Sequence, residues 1–213
     1  MSNLLNRFFA SIFLFGLLYL SIYSIKILAI LLIIIFYQAF YEFYEILKKM
    51  KMKNNLILLN LILFLIYLLI FILLIWNPFI TNTHDVIKNI LFILLICIST
   101  DIGGYMFGKL MKGKKLTKIS PNKTYWGLFG SYIFSLITVF LIFRSYFEYD
   151  NIFILIIVIS TISQLGDLFI SFLKRKASIK DTGKFLPGHG GILDRIDGII
   201  FAIPSGLLII KLL

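Results

Sequence analysis

Residues Leu56 to Trp76 read LILLNLILFLIYLLIFILLIW, 21 consecutive positions with one Asn and no charge. A bilayer's hydrocarbon core, about 30 Å thick, is crossed by roughly 20 apolar residues of helix, so this stretch alone has the length and composition of a transmembrane span. The same texture recurs on both sides of it. Apolar runs from Phe8 to Ile25, Ile27 to Tyr44, Lys88 to Gly108, Trp126 to Phe143, Ile152 to Phe172 and Ile196 to Leu213 bring the expected total to about seven spans. A single helix from Phe8 to Tyr44 would be about 55 Å long, more than tilting accommodates, so a turn is expected near Lys26. Arg7 ahead of an apolar run has the layout of a secretory signal, but the run continues to Ile25 without a small-residue cleavage site and is read as a retained span.

Whole-chain composition agrees. Of 213 residues, 60% are hydrophobic and 15% charged, with a mean hydropathy of +0.99; soluble domains carry about 25% charged residues. These figures exclude a soluble globular enzyme and predict an all-α, polytopic transmembrane helical bundle. No internal repeat or linker divides it, so residues 1–87, holding N-terminal helices, and residues 88–213, holding the chemistry, are expected to form one integrated membrane domain. Cys97 is the one cysteine and lies in an apolar run, which excludes an intramolecular disulfide and a cysteine metal site.

The formal charge is +11, from 21 Lys and Arg against 10 Asp and Glu. All the cations except Lys26, Lys88, Arg144 and Lys211 fall on the N-terminal flank or on alternate connections, which by the positive-inside rule places the N-terminus in the cytoplasm and, for seven spans, the C-terminus outside. Cations in short connections point to a lipid bilayer and anionic partners at its surface. Nothing resembles the soluble basic face that nucleic acid requires.

Against that background the carboxylates stand out. An Asp at the bilayer centre costs roughly 2.5–3.5 kcal/mol on insertion scales, yet Asp101 and Asp167 lie inside expected spans. Asp181, Asp194 and Asp197 gather at the same cytoplasmic face, so the active site is expected at that membrane interface. Asp101, Gly104, Tyr105 and Gly108 share a helical face, which is either a small-residue packing seam or part of a site. In the following connection Ser120, Pro121 and Asn122 form a turn that pins Lys123 at a span entrance. Gln164, Asp167, Ser171, Lys174 and Arg175 form a stripe along one helix, suited to a metal–phosphate complex or to an internal ion pair. The richest segment runs through Lys180, Asp181, Gly183, Pro187, Gly188, His189, Gly190, Gly191, Asp194, Arg195 and Asp197. Its glycines can turn successive N–H groups toward an anion, a helix beginning near Ile192 would aim its positive end the same way, and Asp194 with Asp197 presents hard oxygen ligands suited to Mg²⁺.

The run from Ser171, Lys174 and Arg175 through Lys180, Asp181 and the Pro187 to Gly191 segment to Asp194, Arg195 and Asp197 resembles the signature of the phosphatidate cytidylyltransferase family. Gln164 to Leu168, Asp101 to Tyr105, and the Ser120 to Thr124 stretch are also similar to it, so that the resemblance covers roughly residues 100 to 198. Trp126 stands before Gly127 where the family usually carries an acid, and the chain is shorter than expected, as though N-terminal spans were missing. The resemblance implies a nucleotidyltransferase that joins CTP and phosphatidic acid into CDP-diacylglycerol and pyrophosphate, with Mg²⁺ and room for a second cation, at a bacterial inner (plasma) membrane; a homodimer is left open.

On that footing Asp167 and Asp194 are expected to bind metal, with Asp181 and Asp197 supporting them. Lys174, Arg175, Lys180 and Arg195 would clamp phosphates. His189 with Gly188, Gly190 and Gly191 would shape the nest, Ser171 would orient a phosphate or aspartate, and Asp101 and Lys123 would meet substrate. Two other readings stand beside this one. A CDP-alcohol phosphatidyltransferase-like enzyme also uses interfacial aspartates, although Ile199 to Ala202 lack the Ala-Arg pair its motif needs. An ion or proton pathway built on Asp101 and Asp167 would leave the Pro-Gly-His-Gly-Gly segment without a role.

Overall fold

A computed structural model describes residues 16–17, 19–111, 113–117, 119–143, 151–185 and 190–212. The described residues are helical apart from connections: α1 Ile25–Lys49, α2 Asn54–Ile80, α3 His84–Met111, α4 Tyr125–Ile142, α5 Ile152–Lys176, α6 Leu193–Ile196 and α7 Ile199–Leu212. The first five are long and apolar enough to cross a membrane. The first expected span, Phe8 to Ile25, lies mostly outside the described residues. The turn expected near Lys26 is found two residues earlier, where Ser24 takes an extended conformation (φ −132°, ψ 110°) ahead of α1.

The last expected span, Ile196 to Leu213, is not one helix. The backbone turns at Asp197 and Gly198, and the Asp197 carboxylate accepts a hydrogen bond from the Gly198 N–H at 2.9 Å, a local bond that competes with the helical ladder. The helix that follows, Ile199–Leu212, has 14 described residues. Among the described residues five helices are candidate spans; of the seven expected, the first lies mostly outside the described residues and the last is broken at Asp197 and Gly198.

The fold comprises two compact units, one formed by the described residues of Met1–Thr83 with Leu173–Ile196, the other by those of His84–Phe172 with Asp197–Leu213. In the first, α1 packs on α2 and on α6, and Phe43 stacks on Phe64 with ring centroids 3.9 Å apart. Lys48 and Lys49 close α1 where cations favour the helix dipole. α5 supplies its last residues to this unit and ends in a Schellman arrangement: Ile179 N–H donates to Lys174 O at 2.9 Å and Ser178 N–H to Arg175 O at 3.0 Å, with Ser178 left-handed at φ 56°.

In the second unit α3 and α4 meet along glycines. A Cβ on Gly103 would lie 2.6 Å from both Gly130 O and Phe134 Cβ, and one on Gly127 would lie 2.8 Å from Gly104 O. Small residues let the backbones approach this closely, the usual basis of helix association where lipid removes the hydrophobic driving force. Hydroxyls reinforce the seam: Ser131 Oγ donates to Thr100 O at 2.9 Å, and Thr100 Oγ1 donates to Ser160 Oγ on α5 at 2.8 Å. Gly166 and Gly198 allow α5 to rest on the start of α7, since a Cβ on Gly166 would be 2.6 Å from Phe201 and 2.7 Å from Asp197 O.

Candidate functional site

In the second unit the connection from α3 to α4 folds back on itself. Leu116 N–H donates to Lys123 O at 2.7 Å and Lys123 N–H to Ser120 O at 3.1 Å. Thr124 then caps α4, its hydroxyl accepting from Gly127 N–H at 3.0 Å. This turn holds Lys123 so that its ammonium forms an ion pair with Asp167 Oδ2, each side chain about a quarter exposed. Asp167 Oδ1 accepts from Ser171 Oγ at 3.3 Å, one helical turn on. Three residues singled out in the sequence, Lys123, Asp167 and Ser171, thus meet. The same connection carries an open hollow of about 380 Å³ beside Lys115, Leu116, Thr117 and Pro121.

The expected helical face at Asp101 divides. Gly104 and Gly108 face α4, with Gly103 beside them, while Tyr105 is 68% exposed and Asp101 is exposed. The glycines here serve as a packing seam.

In the first unit Lys174 Nζ pairs with Asp194 Oδ1 at 2.6 Å, with side-chain exposures of 11% and 7%. The partner of Lys174 is therefore Asp194, twenty residues on, and not Asp167 on its own helix. Asp194 Oδ2 accepts from Thr182 N–H at 2.8 Å and Gly191 N–H at 3.1 Å, with the Thr182 hydroxyl 3.0 Å away. Burial alone would push this carboxyl up; the hydrogen bond and charge of Lys174, with the Thr182 and Gly191 amides, outweigh it and hold Asp194 below the usual carboxylate range. Gly190 is left-handed at φ 82°, and a Cβ there would lie 2.8 Å from Asp194 Oδ2. The Gly191 amide, expected to face a phosphate, is committed to Asp194.

In the same unit Arg175, Lys180, Asp181 and Arg195 are exposed; Asp197, in the second unit, is half-buried. Gly188 and His189 lie outside the described residues. Sequence reasoning missed Glu42 and Thr182. Glu42 is 1% exposed on α1 and bonds to Thr182, Ile192 and Leu193; the available signal was an acidic residue within an otherwise uncharged stretch of an expected span.

The donor chemistry decides which carboxylate fits a divalent cation. Among the described residues no three His, Cys, Asp or Glu side chains converge into a ready-made cluster. A carboxylate has about four acceptor positions. Those of Asp194 are filled by four protein contacts, whereas Asp167 has two contacts and partial exposure. Asp167 fits a hard cation once Lys123 leaves Oδ2. Asp194 fits only if Lys174 leaves Oδ1.

The chain is 44% identical over 131 residues to a phosphatidate cytidylyltransferase of Staphylococcus epidermidis, covering 59% of this chain and 50% of that protein. It is 44% identical over the same length to a protein of that name from Staphylococcus haemolyticus, with the same coverage. One from Staphylococcus aureus is 46% identical over 120 residues, 54% of this chain and 46% of that protein. The chain spans about half the length of these curated relatives. The family model described as the cytidylyltransferase family matches residues 5–213, so the motif, the helices that carry it and the match over nearly the whole sequence agree that the chain belongs to the cytidylyltransferase family.

Proposed function

We propose that the chain transfers the cytidylyl group of CTP to phosphatidic acid, forming CDP-diacylglycerol and releasing pyrophosphate, at the cytoplasmic face of a bacterial plasma membrane. The observation that carries this reading is that Thr182 and Gly191 of the signature converge on a nearly buried Lys174–Asp194 pair at the end of an apolar helix. A phosphorylated lipid headgroup and a cytoplasmic triphosphate meet at such a helix end, and the family membership and the relatives' names support the substrates.

The attacking atom is a phosphate oxygen of phosphatidic acid and the bond broken joins the α-phosphorus of CTP to its pyrophosphate. A phosphate monoester has a second pKa near 6, so this oxygen is largely ionised at neutral pH and needs no strong base. The barrier is repulsion between two polyanions, and catalysis consists of neutralising and aligning them. Arg175, Lys180 and Arg195, exposed in the same unit as the Lys174–Asp194 pair, would bind phosphates. Lys123 would pass from Asp167 to a substrate phosphate, with Ser171 keeping the freed carboxylate oriented. Asp167, once Lys123 has left it, and Asp194, once Lys174 has left it, are the carboxylates that would hold Mg²⁺; the ion, when bound, would screen the triphosphate and stabilise the leaving pyrophosphate. Asp181, Asp197, His189 and Gly188 would complete the loop around the nucleotide, and Asp101 would face the lipid substrate.

The test is incorporation of radiolabelled CTP by the purified full chain in mixed micelles. A chloroform-soluble cytidine product that requires phosphatidic acid is expected, and its absence overturns the assignment. Asp167→Asn and Asp194→Asn should each lower turnover at least a hundredfold while the protein still inserts; near-normal turnover in either removes that residue from the site.

A further inference from the structure

Glu42 is nearly inaccessible, yet its carboxylate receives four hydrogen bonds. Gln38 Nε2 and Ile192 N–H donate to Oε1, each at 2.9 Å, and Leu193 N–H and Thr182 Oγ1 donate to Oε2 at 2.9 and 2.6 Å. Three of these donors lie 140 to 151 residues later in the chain, inside the signature loop. The two amides open the turn whose next residue is Asp194. The Thr182 hydroxyl, with one hydrogen, stands between Glu42 Oε2 and Asp194 Oδ2, and the Thr182 N–H donates to the same Asp194 oxygen.

Two signature glycines are small because of this side chain. A Cβ on Gly183 would lie 2.8 Å from Glu42 Oε1, and one on Gly191 would collide with Glu42 Oε2 and Thr182 Oγ1. Removing a carboxylate from water costs several kcal/mol unless its acceptors are filled. An apolar side chain could pack in the same space without that cost, but it could not fix the direction of two amides and a hydroxyl.

We propose that Glu42 is a positioning residue for cytidylyl transfer: by holding the Ile192 and Leu193 amides and the Thr182 hydroxyl, it fixes where the Asp194 carboxylate points. The reaction is the one proposed above, and the anchoring is tested apart from it.

The experiment uses the purified full chain and three variants, Glu42→Gln, Thr182→Val and the double variant. Glu42→Gln keeps the shape but turns one acceptor into a donor facing other donors; Thr182→Val keeps the volume and removes the bridge. Each single variant should lower kcat by about tenfold, the size of one charge-assisted hydrogen bond. The double variant should be no worse than the poorer single, because both cut one link. Amide hydrogen exchange at Ile192 and Leu193 should quicken at least about tenfold in Glu42→Gln, since that loss acts directly on those bonds.

Independent, multiplying losses in kcat overturn the proposal, as does unchanged exchange at the two amides. If Glu42→Gln fails to fold, Thr182→Val decides: full activity in the folded variant overturns the link, and a tenfold loss supports it. An inactive parent chain would refute the proposed reaction, and exchange at Ile192 and Leu193 would still decide the anchoring.

Discussion

Asp194 is tuned by contacts with opposite effects. Burial disfavours its charge, while Lys174 and two amides favour it and prevail. A carboxyl held low in the folded protein stabilises the fold above its unfolded pKa, near 3.9, and that contribution disappears as pH falls through the folded value. Melting of the detergent-solubilised chain should therefore show an acid-side decline below about pH 4 to which Asp194 contributes, and Asp194→Asn should flatten it. At neutral pH the same substitution strands Lys174, 11% exposed, and should cost on the order of 3 kcal/mol. An unchanged acid limb in Asp194→Asn would show that Lys174 is not its determining partner. At this scale Lys123, Asp167, Ser171, Lys174 and Asp194 were all legible, because charges in an apolar sequence are conspicuous. Their pairing was not: Lys174 and Asp167 share a helical stripe, yet each finds its ion-pair partner elsewhere. Glu42 stayed hidden because its partners come from the other end of the chain.

Helix boundaries follow from local chemistry, and the sequence placed most of them within a few residues. Thr124 caps α4, and Lys48 and Lys49 close α1. The exception is the break after α6. The Ile196 to Leu213 run has no charge except Asp197 and Lys211, but the break depends on a carboxylate bonding to the next amide and on Gly198 pressing against Ser163, a contact with α5. The end of α5 suggests a substitution that strengthens the fold. Ser178 occupies the left-handed position of a Schellman cap, where a side chain costs roughly 1–2 kcal/mol, so Ser178→Gly should raise the melting temperature, with a gain of about 1 kcal/mol. The seam between α3 and α4 predicts the reverse. Gly103→Ala places a methyl group 2.6 Å from a backbone carbonyl and should cost about 1–3 kcal/mol, whereas Gly108→Ala, with 3.3 Å to the Thr124 hydroxyl, should cost less. Equal melting temperatures for the two would mean that this seam does not set the helix spacing.

For the whole molecule, orientation does not depend on how many spans precede α1. The connections after α1, after α3 and after α5 carry Lys51 and Lys53, then Lys114, Lys115 and Lys123, then Lys180 and Lys184; Thr81 to Thr83, between α2 and α3, carries no cation. Successive crossings must alternate sides, and Lys and Arg near span ends tend to be retained in the cytoplasm, so the positive-inside rule predicts the three cationic connections on the inner side. Lys123 lies on the second of these connections and Thr182 on the third, so the proposed reaction requires both to face the same side of the membrane. In a Cys97→Ser background, single cysteines at Lys51, Lys115 or Lys180 should resist a membrane-impermeant maleimide in intact cells and react after permeabilisation, whereas cysteines at Thr83 or Asn151 should react from outside. Labelling of Lys115Cys and Lys180Cys from opposite sides would separate Lys123 and Asp194 by a bilayer. A single reaction at one membrane face could not then use both residues.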